Sequence, residues 1–544
     1  MDITLGLDIG THQTKIALSY TPNNESIYEF VEFETVASGK TYLLPSIVQI
    51  NSDNTLSYGH CDRTKAKRIE KIKPKRVPYP PKPKPLAIIP LQQIPYPVAP
   101  AKYKNVKISK HMSAKELSPQ YQKWQLECKR IDQRNHDNRV EFEESLRRRE
   151  SDLLAWKKNC QELDESFNEQ MELYNSPNVQ YHSYRYFKLA CFSDQETEPS
   201  SQRYTPERLM VWYMTYVLLY VKDYVKTRFN EVFEESVSVQ MGVPSGYDNE
   251  KSKGIEFKAK QLLLSARELM SNFNSLENFL TADVDSLERL TSLEEDKEQL
   301  DTKAFMYGFI IIPEAYAGLQ SLSATSRLKT GVMHLLVDIG GGTTDVGFFT
   351  VRKNKKPNVH IVDSFHMGLN FIFEEYLHDH PGLSLQEVQK DFQCNPMKYA
   401  TYTQIYKSEL KTQLSRMVSL IVYEFLKRHD RHHVSKNNLY DAMMSHPIVF
   451  CGGGSTYEDM RIGNQYFSDI YMINKDILNI PNLVNKNIDD SIFTILATSY
   501  GLSIPLEDQI EMIDLSDLFE IFCQNIQEEK STSRRLDYGL QDHN

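Results

Sequence analysis

The chain has 544 residues, with 63 Lys+Arg against 73 Asp+Glu for a net charge of −10, and 40% of its residues are hydrophobic. That length predicts two to four folded units with a sizeable core. It excludes a disulfide mini-protein, and no stretch reads as bilayer-spanning. Seven scattered cysteines, without a C-x-x-C pair, read as reduced thiols of a cytosolic protein. The N-terminus enters an apolar strand pattern at once, so no signal peptide is expected.

Charge is uneven along the chain. Between Arg63 and Lys110 stand fourteen Lys/Arg and one acid, Glu70, a local +13 that leaves −23 for the remainder. Such asymmetry can mark contact with an acidic partner; by itself it does not support nucleic acid.

Leu5 to Ile50 predicts short strands broken by Gly, Asn and Pro. Lys71 to Lys104 then holds ten of the 24 prolines, which predicts an extended polyproline-like strap. Ser118 is the expected N-cap of a helical segment with Pro119 at its first position, and no Gly or Pro follows until Pro177. Tyr121, Trp124, Cys128 and Ile131 form one narrow apolar seam. Trp156, Cys160, Leu163, Phe167, Met171 and Tyr174 form another. Two helices folded back at Arg134–Arg139 would bury each seam on the other; a single rod with an external partner is the alternative. Tyr204 to Phe229 predicts an apolar helix opened by Thr205-Pro206, and Glu277 to Asp301 an acidic helical stretch. Strands return from about Phe305. The tail after Pro505 is 39 residues long, with Ile510, Ile513, Leu518, Phe519 and Phe522 on a helical stripe.

Three glycine-bearing loops, each after an apolar strand, carry the chemistry: LGLDIGTHQTKIALSY (Leu5 to Tyr20), HLLVDIGGGTTDVGFFTV (His334 to Val351) and PIVFCGGGS (Pro447 to Ser455). In the first two, an Asp ends a strand and a small-residue turn leads into the next. Glycines let backbone N–H groups approach phosphate oxygens, and hydroxyls add donors. Asp8 and Asp338 would face the phosphates from opposite sides, so a divalent cation, Mg²⁺ with a water shell, is required between them. A single such turn is common in strand–loop–strand proteins; two in opposite halves plus a strand-borne GGGS make coincidence a poor account.

These loops resemble the two phosphate motifs and the adenosine motif of the actin-like ATPase superfamily, best its 70-kDa heat-shock (DnaK-type) chaperone branch. KTYLLPSIVQI (Lys40 to Ile50), SVSVQMGVPSGY (Ser236 to Tyr247), IIIPEAYAGL (Ile310 to Leu319), DSFHMGLNFIFEEYL (Asp363 to Leu377) and LATSYGLSIP (Leu496 to Pro505) are similar to further segments of that branch. The resemblance covers most of 1–60 and 180–505. It implies an α/β fold of two lobes, each a ribonuclease-H-like domain, with ATP or ADP and Mg²⁺ in the cleft. Lobe I takes 1–61, 180–328 and 491–505, and lobe II takes 329–490. The insertion, 62–179, comprises a basic Pro-rich strap (62–112) and a helical hairpin or coiled coil (113–179), and 506–544 is an acidic tail.

The resemblance further implies that Asp8 and Asp338 coordinate the hydrated metal, and that Glu314 and Asp345 hold waters around it. Gly10, Thr11, His12, Gly340, Gly341, Gly342 and Thr343 would line the phosphates, with Lys188 reaching the terminal one. Gly453, Gly454 and Ser455 would flank the adenosine. Tyr457 stands where the chaperones carry an Arg near the base, and a ring there could stack on adenine. Lys407 and Lys411 lie on a helix resembling the adenosine-side helix; with Glu409 their spacing equally suits surface charge pairing. Ala317 and Gly501 fall in connecting helices, as hinge contacts or simple packing. His429-Asp-Arg-His432-His433 has metal-like composition but no second ligand cluster.

The expected activity is slow ATP hydrolysis coupled to lobe motion, with a protein partner recruited through the insertion and no membrane contact. The tail is too short for the chaperones' client-binding domain. The alternatives are a filament-forming actin-like ATPase of the segregation type and a small-molecule kinase on the same fold, for which no catalytic base is evident.

Overall fold

A computed structural model describes residues 1–35, 39–68, 73–83, 91, 93–98, 119–175, 181–193, 197, 200–244, 249–293, 297–323, 325, 327–328, 333–352, 355–380, 383, 385–428, 437, 447–462 and 470–506. The chain divides into two compact units, Met1–Ile69 with Val179–Asn544, and Glu70–Asn178. Three features of the sequence lie outside the described residues: the His429–His433 cluster, the tail beyond 506, and the end of the segment that finishes at Tyr247.

Among the described residues, the larger unit holds two large mixed sheets, besides two small sheets and Leu44–Pro45, which pairs off the main path of the first. The first comprises β1 (Ile3–Ile9), β2 (Gln13–Tyr20), β3 (Ile27–Phe30), β4 (Val237–Val243) and β5 (Phe309–Pro313), ordered β5-β4-β1-β2-β3. The second comprises β6 (Met333–Ile339), β7 (Thr344–Arg352), β8 (Lys355–Phe365), β9 (Ile448–Cys451) and β10 (Ile470–Met472), ordered β8-β7-β6-β9-β10. In both, the first three strands are antiparallel neighbours and the last two lie parallel to the first. The second sheet thus repeats the order and senses of the first. β1 and β6 sit centrally and are buried on both faces, which is why ITLGLDI and MHLLVDI read as nearly continuous apolar runs.

Among its described residues, the smaller unit contains one helix, α1 (Pro119–Asn175), of 57 residues and therefore about 85 Å long. It does not fold back at 134–139. The proline strap covers its seam instead. Trp156 Nε1 donates to Pro80 O at 2.9 Å and Trp124 Nε1 to Pro97 O at 2.8 Å. Asn135 brackets one strap residue, accepting from Ile94 N at 2.7 Å and donating to Ile94 O at 3.1 Å. Tyr79 hydrogen-bonds Asp164, Tyr96 hydrogen-bonds Asp132, and Arg76 pairs with Asp164. Strap and helix therefore run antiparallel. From Pro80 to Pro97 a polyproline helix spans about 53 Å, and from Trp124 to Trp156 an α-helix spans about 48 Å. The two match in length. A polyproline backbone makes no internal hydrogen bonds, so its carbonyls are available to the indoles.

Helices of the larger unit position the cleft. α2 (Phe187–Phe192) is wholly buried, and α3 (Pro206–Phe229) is buried on nearly all sides over its first half. Thr205 caps α3 by accepting from Arg208 N. α4 (Glu314–Gln320) and α7 (Asp490–Ser503) lie between the sheets, where Leu319, Phe493, Leu496 and Tyr500 join one cluster with Phe30 of β3 and with Leu336 and Phe349 of the second sheet. α5 (Leu369–Asp379) and α6 (Ala400–Arg428) belong to the core of the second sheet. The expected acidic helix at 277–301 is instead three short helices, Leu276–Leu280, Val284–Leu290 and Lys297–Met306. Asp283 caps the second by accepting from Ser286 N, which starts a new helix rather than continuing the first.

Candidate functional site

Asp8 and Asp338 occupy equivalent places, one residue before the ends of β1 and β6. The turns after them close in the same way: Gly10 N donates to Gln13 O at 3.0 Å, and Gly340 N to Thr343 O at 2.8 Å. Across the hairpins Asp8 faces Lys15, while Asp338 faces Asp345. The first acid is therefore already paired, Lys15 Nζ to Asp8 Oδ2 at 2.8 Å, and the second hairpin carries two acids.

Two further charges converge from α2 and α4, where Lys188 pairs with Glu314. Asp338 Oδ2 accepts from Thr498 Oγ1 of α7 at 2.9 Å, and Asp345 Oδ2 from Thr343 Oγ1 at 3.1 Å. All four carboxylates are buried, as is Lys188. Burial pushes Asp338 up to about 6, against the easing bond from Thr498. Burial also pushes Asp345 well above the usual carboxylate range, with Glu314 and Asp338 adding to it. For Lys188, burial works downward but is outweighed by Glu314 and Asp8, so the ammonium is held charged. Among the described residues, four carboxylates thus face the two ammonium groups of Lys15 and Lys188. Buried charge of that kind calls for protons or a cation.

The third loop leaves β9 at Cys451. Gly452 has φ +82°, and a β-carbon on it would lie 2.1 Å from Asp338 Oδ1, so only glycine fits. A β-carbon on Gly454 would meet Ile339 at 2.4 Å, whereas Gly453 borders open space. Ser455 Oγ donates to Gly452 O at 2.7 Å, shaping its own loop. Tyr457 is partly buried and packs in a T-shaped contact with Phe392 at 4.7 Å, against the second core. Lys407 and Lys411 are half-buried on α6, beside Tyr406, whose hydroxyl bonds Thr344 Oγ1 at 2.7 Å and ties that helix to the second turn.

The two turns also touch each other. A β-carbon on Gly341 would lie 2.6 Å from His12 Cδ2, and one on Gly342 would lie 2.8 Å from Leu189 and 3.1 Å from Thr11 Oγ1. Sequence reasoning missed four residues: Lys15, Thr498, Asn370 (bonded to His12) and Arg461, whose Nε donates to Ser455 O at 2.8 Å. Of these only Lys15 had a local signal, since the hairpin register sets it opposite Asp8.

These residues fit Mg²⁺ with a nucleotide. The clustered carboxylates offer acceptors to the waters of a hydrated cation, and Asn370 Nδ2 is a buried donor without a partner. Among the described residues no group of three or more His, Cys, Asp or Glu grips an ion directly. Mg²⁺ normally keeps several waters and needs no such cage.

Two solved structures are similar to the chain, each over 53% of its length: a PilM–PilN type IV pilus biogenesis complex (14% identity, 84% of that chain, TM-score 0.29) and a pCBH ParM non-polymerisable quadruple mutant (12% identity, 73% of that chain, TM-score 0.29). No protein-family model and no curated protein matches the sequence. No described helix is long and apolar enough to cross a membrane.

Proposed function

We propose that the chain is an ATP-hydrolysing switch with duplicated ribonuclease-H-like lobes, one on each sheet. The observation that supports this reading best is the repeated Asp-ended turn on two sheets whose five main strands share one order, beside a buried cluster of four carboxylates.

Asp8 and Asp338 would hold Mg²⁺ through its water shell. When bound, Mg²⁺ would neutralise the polyphosphate and polarise its terminal group. Main-chain amides around Thr11–His12 and Gly341–Gly342 orient the phosphates at low entropic cost. Lys188 supplies a fixed positive charge, held by Glu314, for the terminal phosphate. Asp345 and Glu314 orient the attacking water; Asp345, with its raised proton affinity, is the group suited to take a proton from it. Gly453 leaves open space for the adenosine.

Within this class the chaperone-type reading rests on the PSIV, VPSGY and connecting segments of the sequence, with the strap and α1 as the surface for a protein partner. Phosphate release from Mg·ATP by the purified chain tests the activity, with Asp338→Asn as control. Hydrolysis unchanged in that variant would reject the site. Nucleotide-dependent light scattering in the same samples would favour filament formation instead.

A further inference from the structure

His12 does more than line its own turn. Its Nε2 meets Asn370 Oδ1 at 2.7 Å, across 358 residues of chain, from the first turn to the first helical turn of α5. Since a carbonyl oxygen only accepts, Nε2 is the donor in this arrangement. The Asn370 backbone is fixed as well: its N–H donates to Gly341 O at 2.8 Å, and Leu369 N donates to Gly340 O at 3.1 Å. Asn370 is 3% exposed, yet its Nδ2 donor has no partner. A buried donor left unpaired costs about 1–3 kcal/mol unless something accepts from it.

A second orphan donor stands close by. Arg185 Nε is buried and makes no hydrogen bond, and the Arg185 charge acts on the His12 ring. The next residue, Tyr186, holds a left-handed backbone at φ 58° and lies 5.5 Å from the His12 ring, while its hydroxyl bonds Gln389 of the second half. A tyrosine is held in that region only where its surroundings enforce it, and such strain collects at ligand sites. Here it launches α2, which carries Lys188.

We propose that Asn370, His12 and Arg185 form a phosphate-oxyanion site at the contact of the two turns, taking either the terminal phosphate of a bound triphosphate or the phosphate released from it. This rests on the nucleotide reading of the cleft. In the nucleotide-free chain His12 occupies Asn370 and bridges the turns. When the oxyanion enters, the His12 Nε2–H and Asn370 Nδ2–H groups turn to it and Arg185 Nε–H completes the set. On this proposal the cluster meets the terminal phosphate and not the inner two, which separates triphosphate from diphosphate.

Calorimetry on the full-length chain tests this with Mg·AMPPNP, Mg·ADP, and inorganic phosphate titrated into the Mg·ADP-loaded protein. Asn370→Leu keeps the size of the side chain and removes the donor. It is expected to weaken Mg·AMPPNP, or phosphate binding to the ADP form, by about tenfold or more, with Mg·ADP affinity within about twofold. Loss on Mg·AMPPNP assigns the terminal phosphate; loss confined to free phosphate assigns the released one. His12→Gln, which keeps a donor on a flexible stem, is expected to change the same ligand in the same direction by less, and it serves if Asn370→Leu does not fold. Equal weakening of Mg·AMPPNP and Mg·ADP, or no weakening, overturns the proposal while leaving the nucleotide site standing. A wild-type chain that binds neither nucleotide overturns both.

Discussion

Gly501 and Ala317 meet backbone to backbone: a β-carbon on Gly501 would lie 1.8 Å from the Ala317 carbonyl oxygen. α4 and α7 therefore cross at a separation that only glycine permits. Gly501→Ala is expected to force the helices apart and destabilise the chain by about 1–3 kcal/mol or more, which a thermal melt would register. An unchanged midpoint would mean that the crossing yields freely.

Lys188 and Glu314 form a buried pair, and removing one partner strands the other. Lys188→Met is expected to cost roughly 3–5 kcal/mol and to abolish hydrolysis. Adding Glu314→Gln should restore most of the stability while leaving the chain inactive. Chemical denaturation of the single and double variants decides this; no rescue of stability in the double variant would separate the two side chains energetically.

Asp338 carries a pH signature. Its proton affinity is raised from 3.8 to about 6 on folding, so the folded chain binds the proton more tightly than the unfolded one. Its contribution to stability is complete below about 4 and is lost as pH rises through about 6, to a limit of roughly 3 kcal/mol. His12, lowered to about 4 chiefly by burial, acts oppositely, and its contribution is lost as pH falls from 6.5 toward 4. Differences between variants expose what the two slopes conceal in the wild type. Without nucleotide, Asp338→Asn should gain stability relative to wild type between pH 4 and 6 and hold that gain above it, while losing Mg·ATP. A pH-independent difference would contradict the raised affinity.

Trp124 and Trp156 anchor the strap through their indole N–H groups. Each Trp→Phe change removes one bond and should release the nearer end, at about 1 kcal/mol apiece. Trypsin cleavage at Lys75 and Arg76 should quicken in Trp156→Phe before any change in global melting. Unaltered cleavage would show that the strap is held by other contacts.

The Asp-ended turns were legible because their signals are local: an apolar strand, an acid, then residues small enough to turn. Lys188 carried no such signal of its own, and its meeting with Glu314 depends on α2 and α4 converging from 126 residues apart. Asn370 was illegible, since its role exists only where His12 reaches it across 358 residues. The seam of α1 showed that something must cover it, but not what. A fold-back at 134–139 would need a turn from RNHDNR, which has neither Gly nor Pro, and the helix simply continues. The contact of Tyr457 with Phe392, remote in sequence, was equally illegible.

Among its described residues the strap is gripped mainly by carbonyls, by two tyrosine tips and by Arg76, so the spelling at the others is free to drift. Its length is not. Deleting one strap residue between Pro80 and Pro97 would pull one anchor about 3 Å out of step with its tryptophan. The inserted unit therefore behaves as a ruler, forgiving of spelling changes and intolerant of miscounting.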